Sequence, residues 1–144
     1  MVNKELAEKA LEDAEEWLIA AKEFDTMRMA PKRLYSLEMG VEMSLNALLI
    51  YYGIDFPKSH NVLPIVAGLI SSSSFNGTEI KGNRDEIFST FHALLDIRSA
   101  SGYSYESSYN KEFFQEKANK YTESAIHIFE LVKKHISAPD KLMW

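Results

Sequence analysis

The sequence predicts an all-α fold: an antiparallel bundle of four long helices plus one short helix, forming a single domain over residues 1–144. Three observations lead there. Apolar residues recur at helical spacing through four long segments, and no stretch alternates apolar and polar residues long enough to make a strand. The breaks between segments are short and carry Gly, Pro, Asn or Asp, which suits helices folded back on one another. Length and composition fit one core, with 46 % hydrophobic and 26 % charged residues in a chain of 144.

The first helix is expected from about Asn3 to Phe24, with Leu6, Ala10, Ala14, Trp17, Leu18 and Ala21 as its buried stripe. Residues 25–30 are a linker. Pro31 suits the first turn of the second helix, which runs to Tyr52 and ends at Gly53. This helix should be central. Leu34, Leu37, Val41, Leu45, Leu48 and Tyr52 share one face, and Met39, Met43, Ala47 and Ile50 lie nearly opposite. Ser36, Gly40, Ser44 and Ala47 form a small-residue row where a second bundle helix or another copy of the chain could approach closely.

Ile54 to Pro57 reads as a turn, and Asn61 as the cap of the short helix, Val62 to Ile70. Asn76 and Gly77 are the turn signal of a polar connector from Ser71 to Gly82. Asn83, with Glu86 three residues on, resembles a capping box and opens a helix with Ile87, Phe91, Leu94 and Leu95 as its stripe. Ser99 to Tyr109 reads as a loop. Asn110 caps the last helix, whose stripe is Phe114, Ala118, Tyr121, Ala125, Ile128, Phe129, Val132 and Ile136. Residues 138–144 are expected to be a tail, frayed unless Trp144 docks.

A net charge of -5 argues against a broad electrostatic grip on nucleic acid but leaves room for a local phosphate site. The absence of cysteine excludes disulfides and thiolate metal sites. The longest apolar run, Ala47 to Tyr52, is far short of the roughly 20 residues of a membrane span. Met1 to Glu16 is charged and amphipathic, unlike a signal peptide, so a cytoplasmic protein is the expectation. His60, His92, His127 and His135 show no ligand spacing, and no metal or cofactor is expected. Glycine-rich phosphate loops are absent.

Arg98 is the residue that carries chemistry. It follows Ile87, Phe91, Leu94 and Leu95 on their stripe, where apolar helix gives way to a tyrosine-rich segment. A guanidinium is always charged and needs an anion when buried, either a carboxylate of its own chain or a ligand phosphate. Glu38, Glu42 and Asn46 repeat every four residues on the second helix. They form either a structural ion pair or solvated edge, or a device in which Glu42 orients Arg98. His60 is either a surface residue or a buried orienting histidine. Tyr103, Tyr105 and Tyr109 either pack over the bundle end or stack on a base and bond its phosphate, with Arg98 as anchor.

These segments resemble the HEPN superfamily of small helical bundles. Its ribonuclease members carry Arg, four to six residues, then His, and a toxin branch carries Arg-x4-His-x-Tyr. Arg98 matches the Arg, Tyr103 stands where the His belongs, and Tyr105 matches the final Tyr. The run Val41 to Leu49, followed by Gly53, Pro57 and His60, is similar to the family's central helix and the turn after it.

The resemblance implies a homodimer with the Arg loops facing across a cleft. In ribonuclease members it implies metal-independent cleavage, in which His moves protons and Arg stabilises the phosphate. A free phenol, of pKa about 10, is ionised in only about one molecule per thousand at pH 7. The Arg, Tyr and Glu set therefore suits binding better than cleavage.

Three readings follow. The first is a non-nucleolytic module binding a nucleotide or RNA phosphate through Arg98, Tyr103, Tyr105, Glu42 and His60. Its partner would be a nucleotidyltransferase in a toxin–antitoxin or defence system, with Tyr105 as the residue modified. The second is an active metal-independent endoribonuclease using Arg98 with Tyr103 or a displaced His. The third is a structural bundle with Arg98 and Glu42 as an internal ion pair.

Overall fold

The computed structural model describes residues 2–56 and 58–138. Pro57 of the expected turn, and the expected tail beyond Ala138 with Trp144, lie outside the described residues. Secondary structure among the described residues is helical throughout. Helices α1 (Val2–Glu23), α2 (Ala30–Tyr51), α5 (Arg84–Asp96) and α7 (Lys111–Ser137) hold 22, 22, 13 and 27 residues. Shorter helices α3 (Leu63–Ile70), α4 (Glu79–Gly82) and α6 (Arg98–Gly102), with 3₁₀ turns at Ser73–Phe75 and Ser104–Glu106, complete the chain.

Helix α2 is the hub. It packs most extensively on α1 and α7 and also touches α3, α5 and α6. Its apolar residues Leu34, Leu37, Val41, Leu45, Ala47, Leu48 and Leu49 are all buried. The small-residue row serves α1. A Cβ built on Gly40 would lie 2.5 Å from Leu18 Cδ2, so the two helices meet there at a distance only glycine allows. That close approach turns α1 slightly from its expected face. Ala7, Leu11, Ala14, Leu18 and Ala21 are buried, Leu6 is exposed, and Trp17 lies at the edge of the core rather than inside it.

Helix termini follow their local chemistry. Gly53 adopts φ +67°, with Gly53 N–H donating to Ile50 O at 2.9 Å and Ile54 N–H to Leu49 O at 3.0 Å. This pair of bonds is a Schellman stop for α2. Asn110 Oδ1 accepts from Phe113 N at 2.8 Å and starts α7, as expected. Asn61 Oδ1 accepts from Leu63 N at 3.2 Å, one residue beyond the expected start of α3.

Two expectations are corrected. Asn83 forms no capping box, because residues 79–82 are already helical and its Nδ2 donates back to Glu79 O at 2.8 Å. Thr78 caps the preceding helix α4, accepting from Lys81 N, and Asn83 starts α5 with no side-chain cap bond. Nor is Ser99–Tyr109 a plain loop. The helix breaks at buried Ile97 and resumes as α6, with Ser101 N–H donating to Ile97 O at 2.8 Å. The break turns the chain so that Arg98 and the segment after it lie across α2.

Candidate functional site

Arg98, the first residue of α6, reaches α2. Its Nε donates to Glu38 Oε1 at 2.7 Å and its Nη2 to the Tyr35 hydroxyl at 3.0 Å. The guanidinium carbon lies 4.9 Å from the centre of the Tyr35 ring, a cation–π contact. The side chain keeps 22 % of its surface exposed, whereas Glu38 is fully enclosed.

The partner is thus Glu38, not the expected Glu42. Both glutamates lie on the same face of α2, one turn apart, and the axial height at which α6 crosses selects the earlier one. Glu42 instead takes His60, with Nδ1 at 3.0 and 3.2 Å from its two oxygens. His60 is half exposed, which matches the surface alternative rather than the buried one, and it still bonds Glu42.

The four groups form a line: Arg98, Glu38, Glu42, His60. Burial, then the hydrogen bond to Glu42 and that carboxyl's charge, push Glu38 up to about 9 against the opposing pull of Arg98. Glu38 Oε2 is buried, with no protein N–H or hydroxyl reaching it. Arg98 thus bonds an acid whose surroundings favour its protonated form. Glu38, Glu42 and His60 place one ligand atom each within 4.8 Å of one another, a spacing that would suit a metal ion and that no sequence pattern announced. Arg98 already occupies one Glu38 oxygen there, which disfavours a second cation.

Beside Arg98 opens a cavity of about 610 Å³. Helix α1 contributes Trp17 and Ala20, Phe24 follows directly after its end, and α2 contributes Lys32, Tyr35 and Ser36. The far wall is Arg98, Ser99, Ser101 and Gly102, with Tyr103 at its end. Arg33 secures the α1 side. Its guanidinium donates to the Phe24 and Lys22 carbonyls at 2.9 and 3.3 Å and to Thr122 Oγ1 of α7 at 3.2 Å. Gly102 lets α6 lie on Tyr35, since a Cβ there would stand 3.3 Å from the ring.

The tyrosines separate. Tyr103 borders the cavity, 60 % exposed. Tyr105 projects into solvent, 82 % exposed, and is not part of the wall. Tyr109 stacks on Phe113 at 4.1 Å and belongs to α7 packing. No histidine lines the cavity. His92 pairs with Asp96, and His127 with Glu86.

Trp17, Phe24, Lys32 and Tyr35 were not among the expected site residues. The signal was present: Trp17, Ala20 and Phe24 follow helical spacing on α1, and Tyr35, Glu38 and Glu42 do so on α2. No curated protein and no solved structure matches the chain. The HEPN domain profile matches residues 7–135. That span runs from within α1 to within α7 and takes in the whole cavity wall, and the chain belongs to the HEPN domain family.

Proposed function

We propose that this chain is a HEPN module that binds a nucleotide or RNA phosphate at Arg98 without cleaving RNA. One observation carries the reading: Arg98 lines a cavity with its guanidinium partly exposed there. A cation in that state attracts an external phosphate, and the Tyr35 hydroxyl and Tyr103 stand beside it as hydrogen-bonding groups. Proton transfer in a ribonuclease calls for a group that titrates near neutrality, and the cavity wall offers a phenol where the family pattern has imidazole. Glu42 and His60 act indirectly, by holding the proton on Glu38.

The module works as a homodimer with a nucleotidyltransferase partner in a toxin–antitoxin or defence-type setting. Exposed Tyr105 is the residue that the partner modifies. A phosphate-bearing adduct there would sit seven residues along the chain from Arg98 and compete for its charge.

Titration with pyrophosphate and with a short single-stranded RNA, monitored by calorimetry, tests the proposal. Arg98→Gln should weaken both by roughly 10- to 100-fold, the range for a charged hydrogen bond. RNA incubated with the protein should remain intact with and without chelator. Cleavage that survives chelation and disappears in Arg98→Gln would replace this reading with the endoribonuclease, for which the placement of Tyr103 beside Arg98 is the favouring observation.

A further inference from the structure

Two buried carboxyls one helical turn apart are costly to leave without positive charge. Glu38 and Glu42 are only 0 % and 4 % exposed, and their four-residue spacing puts them on one face of α2. Arg98 supplies one charge, through Oε1 of Glu38. Oε2 of Glu38 is enclosed and meets no donor. An enclosed carboxyl oxygen with nothing to accept from is uncommon and calls for a proton or a metal ion.

His60 completes the set from outside α2. It stands on the stretch that leads into α3, and its Nδ1 lies 3.0 and 3.2 Å from the two Glu42 oxygens. Two ligands each about 2.0–2.1 Å from a tetrahedral metal stand roughly 3.3 Å apart. The separation of His60 from Glu42 is therefore close to that of two groups on a shared ion. Glu38 adds a third ligand atom, all three lying within 4.8 Å of one another, and no other group of three such side chains among the described residues comes so close. By contrast, His92 and His127 each pair with a single acid, Asp96 and Glu86.

Arg98 decides which ion suits. Its charge on Glu38 opposes any second cation, so the ion must be one whose bond to nitrogen outweighs that repulsion. An imidazole beside two carboxylates meets this need for zinc and neighbouring transition metals, whereas Mg²⁺ and Ca²⁺ take oxygen ligands. We infer that Glu38, Glu42 and His60 bind one divalent transition-metal ion, Zn²⁺ foremost, which fastens the stretch ahead of α3 to α2. Three protein ligands leave a fourth position for water. The site stands apart from the phosphate reading, since none of the three residues lines the cavity.

The test uses the full chain, stripped with chelator and then titrated with zinc chloride in calorimetry and with Co²⁺ in visible absorption. One equivalent of Zn²⁺ should bind, at least about 100-fold more tightly than Mg²⁺ or Ca²⁺, and should raise the melting temperature. Co²⁺ should give the visible bands of a four-coordinate ion, and Zn²⁺ should abolish them. His60→Ala, at a half-exposed position that spares the core, should weaken Zn²⁺ by about 100-fold or more, the upper end of the roughly 10- to 100-fold cost of losing a group outside the ligand set. His92→Ala and His127→Ala should leave the affinity unchanged. Arg98→Gln should tighten Zn²⁺ several-fold by removing the opposing charge. The same variant weakens phosphate in the experiment above, so the two readings fail separately. Equal affinity in the parent and His60→Ala, a loss in His92→Ala or His127→Ala, or no preference over Mg²⁺ would overturn the site. An affinity unmoved by Arg98→Gln would put the ion away from Glu38 and overturn the three-ligand site as well. So would the absence of saturable Zn²⁺ binding.

Discussion

Glu38 determines what Arg98 can do. A carboxyl whose folded pKa lies near 9, against an ordinary 4.5, holds a proton in the folded state that the unfolded chain has released. Across the window from about 4.5 to 9 the folded state binds more protons, so stability falls as pH rises. This contribution is fully present below the unfolded pKa and lost as pH passes the folded one. The melting temperature should therefore decline between pH 5 and pH 9. Glu38→Gln, which keeps an acceptor for Arg98 and a donor for Glu42, should flatten that decline in a calorimetric pH series. The same substitution leaves Arg98 beside a partner that cannot ionise, so phosphate binding should persist at pH 9.5 in the variant and weaken in the parent. Sequence reading located the face of α2 that carries Glu38 and Glu42 but expected the wrong member of the pair. Four-residue spacing places both on one stripe, and only the height of α6 along α2 distinguishes them.

At the scale of elements, α1 and α2 form the most extensive helix pairing among the described residues. Gly40 is the contact point, and Gly40→Ala must displace Leu18. Overpacking of this kind should cost about 1–3 kcal/mol, read as a lower denaturation midpoint at unchanged slope. The α7 cap is an independent control, since Asn110 is not part of the cavity wall. Asn110→Ala should cost about 1 kcal/mol and leave ligand affinity unchanged. Long helices were legible in the sequence because burial repeats with the helical period and because Asn110 and Gly53 are local signals. Helix α6 was not. Ser99, Ala100, Ser101 and Gly102 have neither apolar period nor strong helical preference, and what holds them in a turn of helix is the seating of Arg98 and Tyr35 against α2. Trp17 was read as core for the opposite reason. Its spacing is that of a buried residue, and its position at the rim follows from the slight rotation that the Ala7, Ala14 and Ala21 seam imposes.

For the molecule as a whole, α2 supplies core, acid pair and cavity wall at once, so fold and site are not separable by deleting an element. They are separable by charge. Arg98→Met combined with Glu38→Leu replaces a largely enclosed polar pair with apolar side chains of similar length. Stability should be unchanged or higher in chemical denaturation, since such replacements often are neutral or favourable. Phosphate and nucleotide binding should be lost. Retained binding in that double variant would mean that the cavity does not use Arg98.

By itself the sequence determined the helical class, the central role of α2, most helix ends and the need of Arg98 for a polar partner, because each depends on spacing within one segment or on a residue's own chemistry. The tertiary structure alone decided that Glu38 rather than Glu42 meets Arg98, that Tyr103 and Tyr105 part company, and that Trp17 and Lys32 share a cavity with Arg98. The physical reason is common to all three. Each depends on the rotation and axial offset between packed helices, which are set by contacts such as Gly40 on Leu18 between residues far apart in the chain.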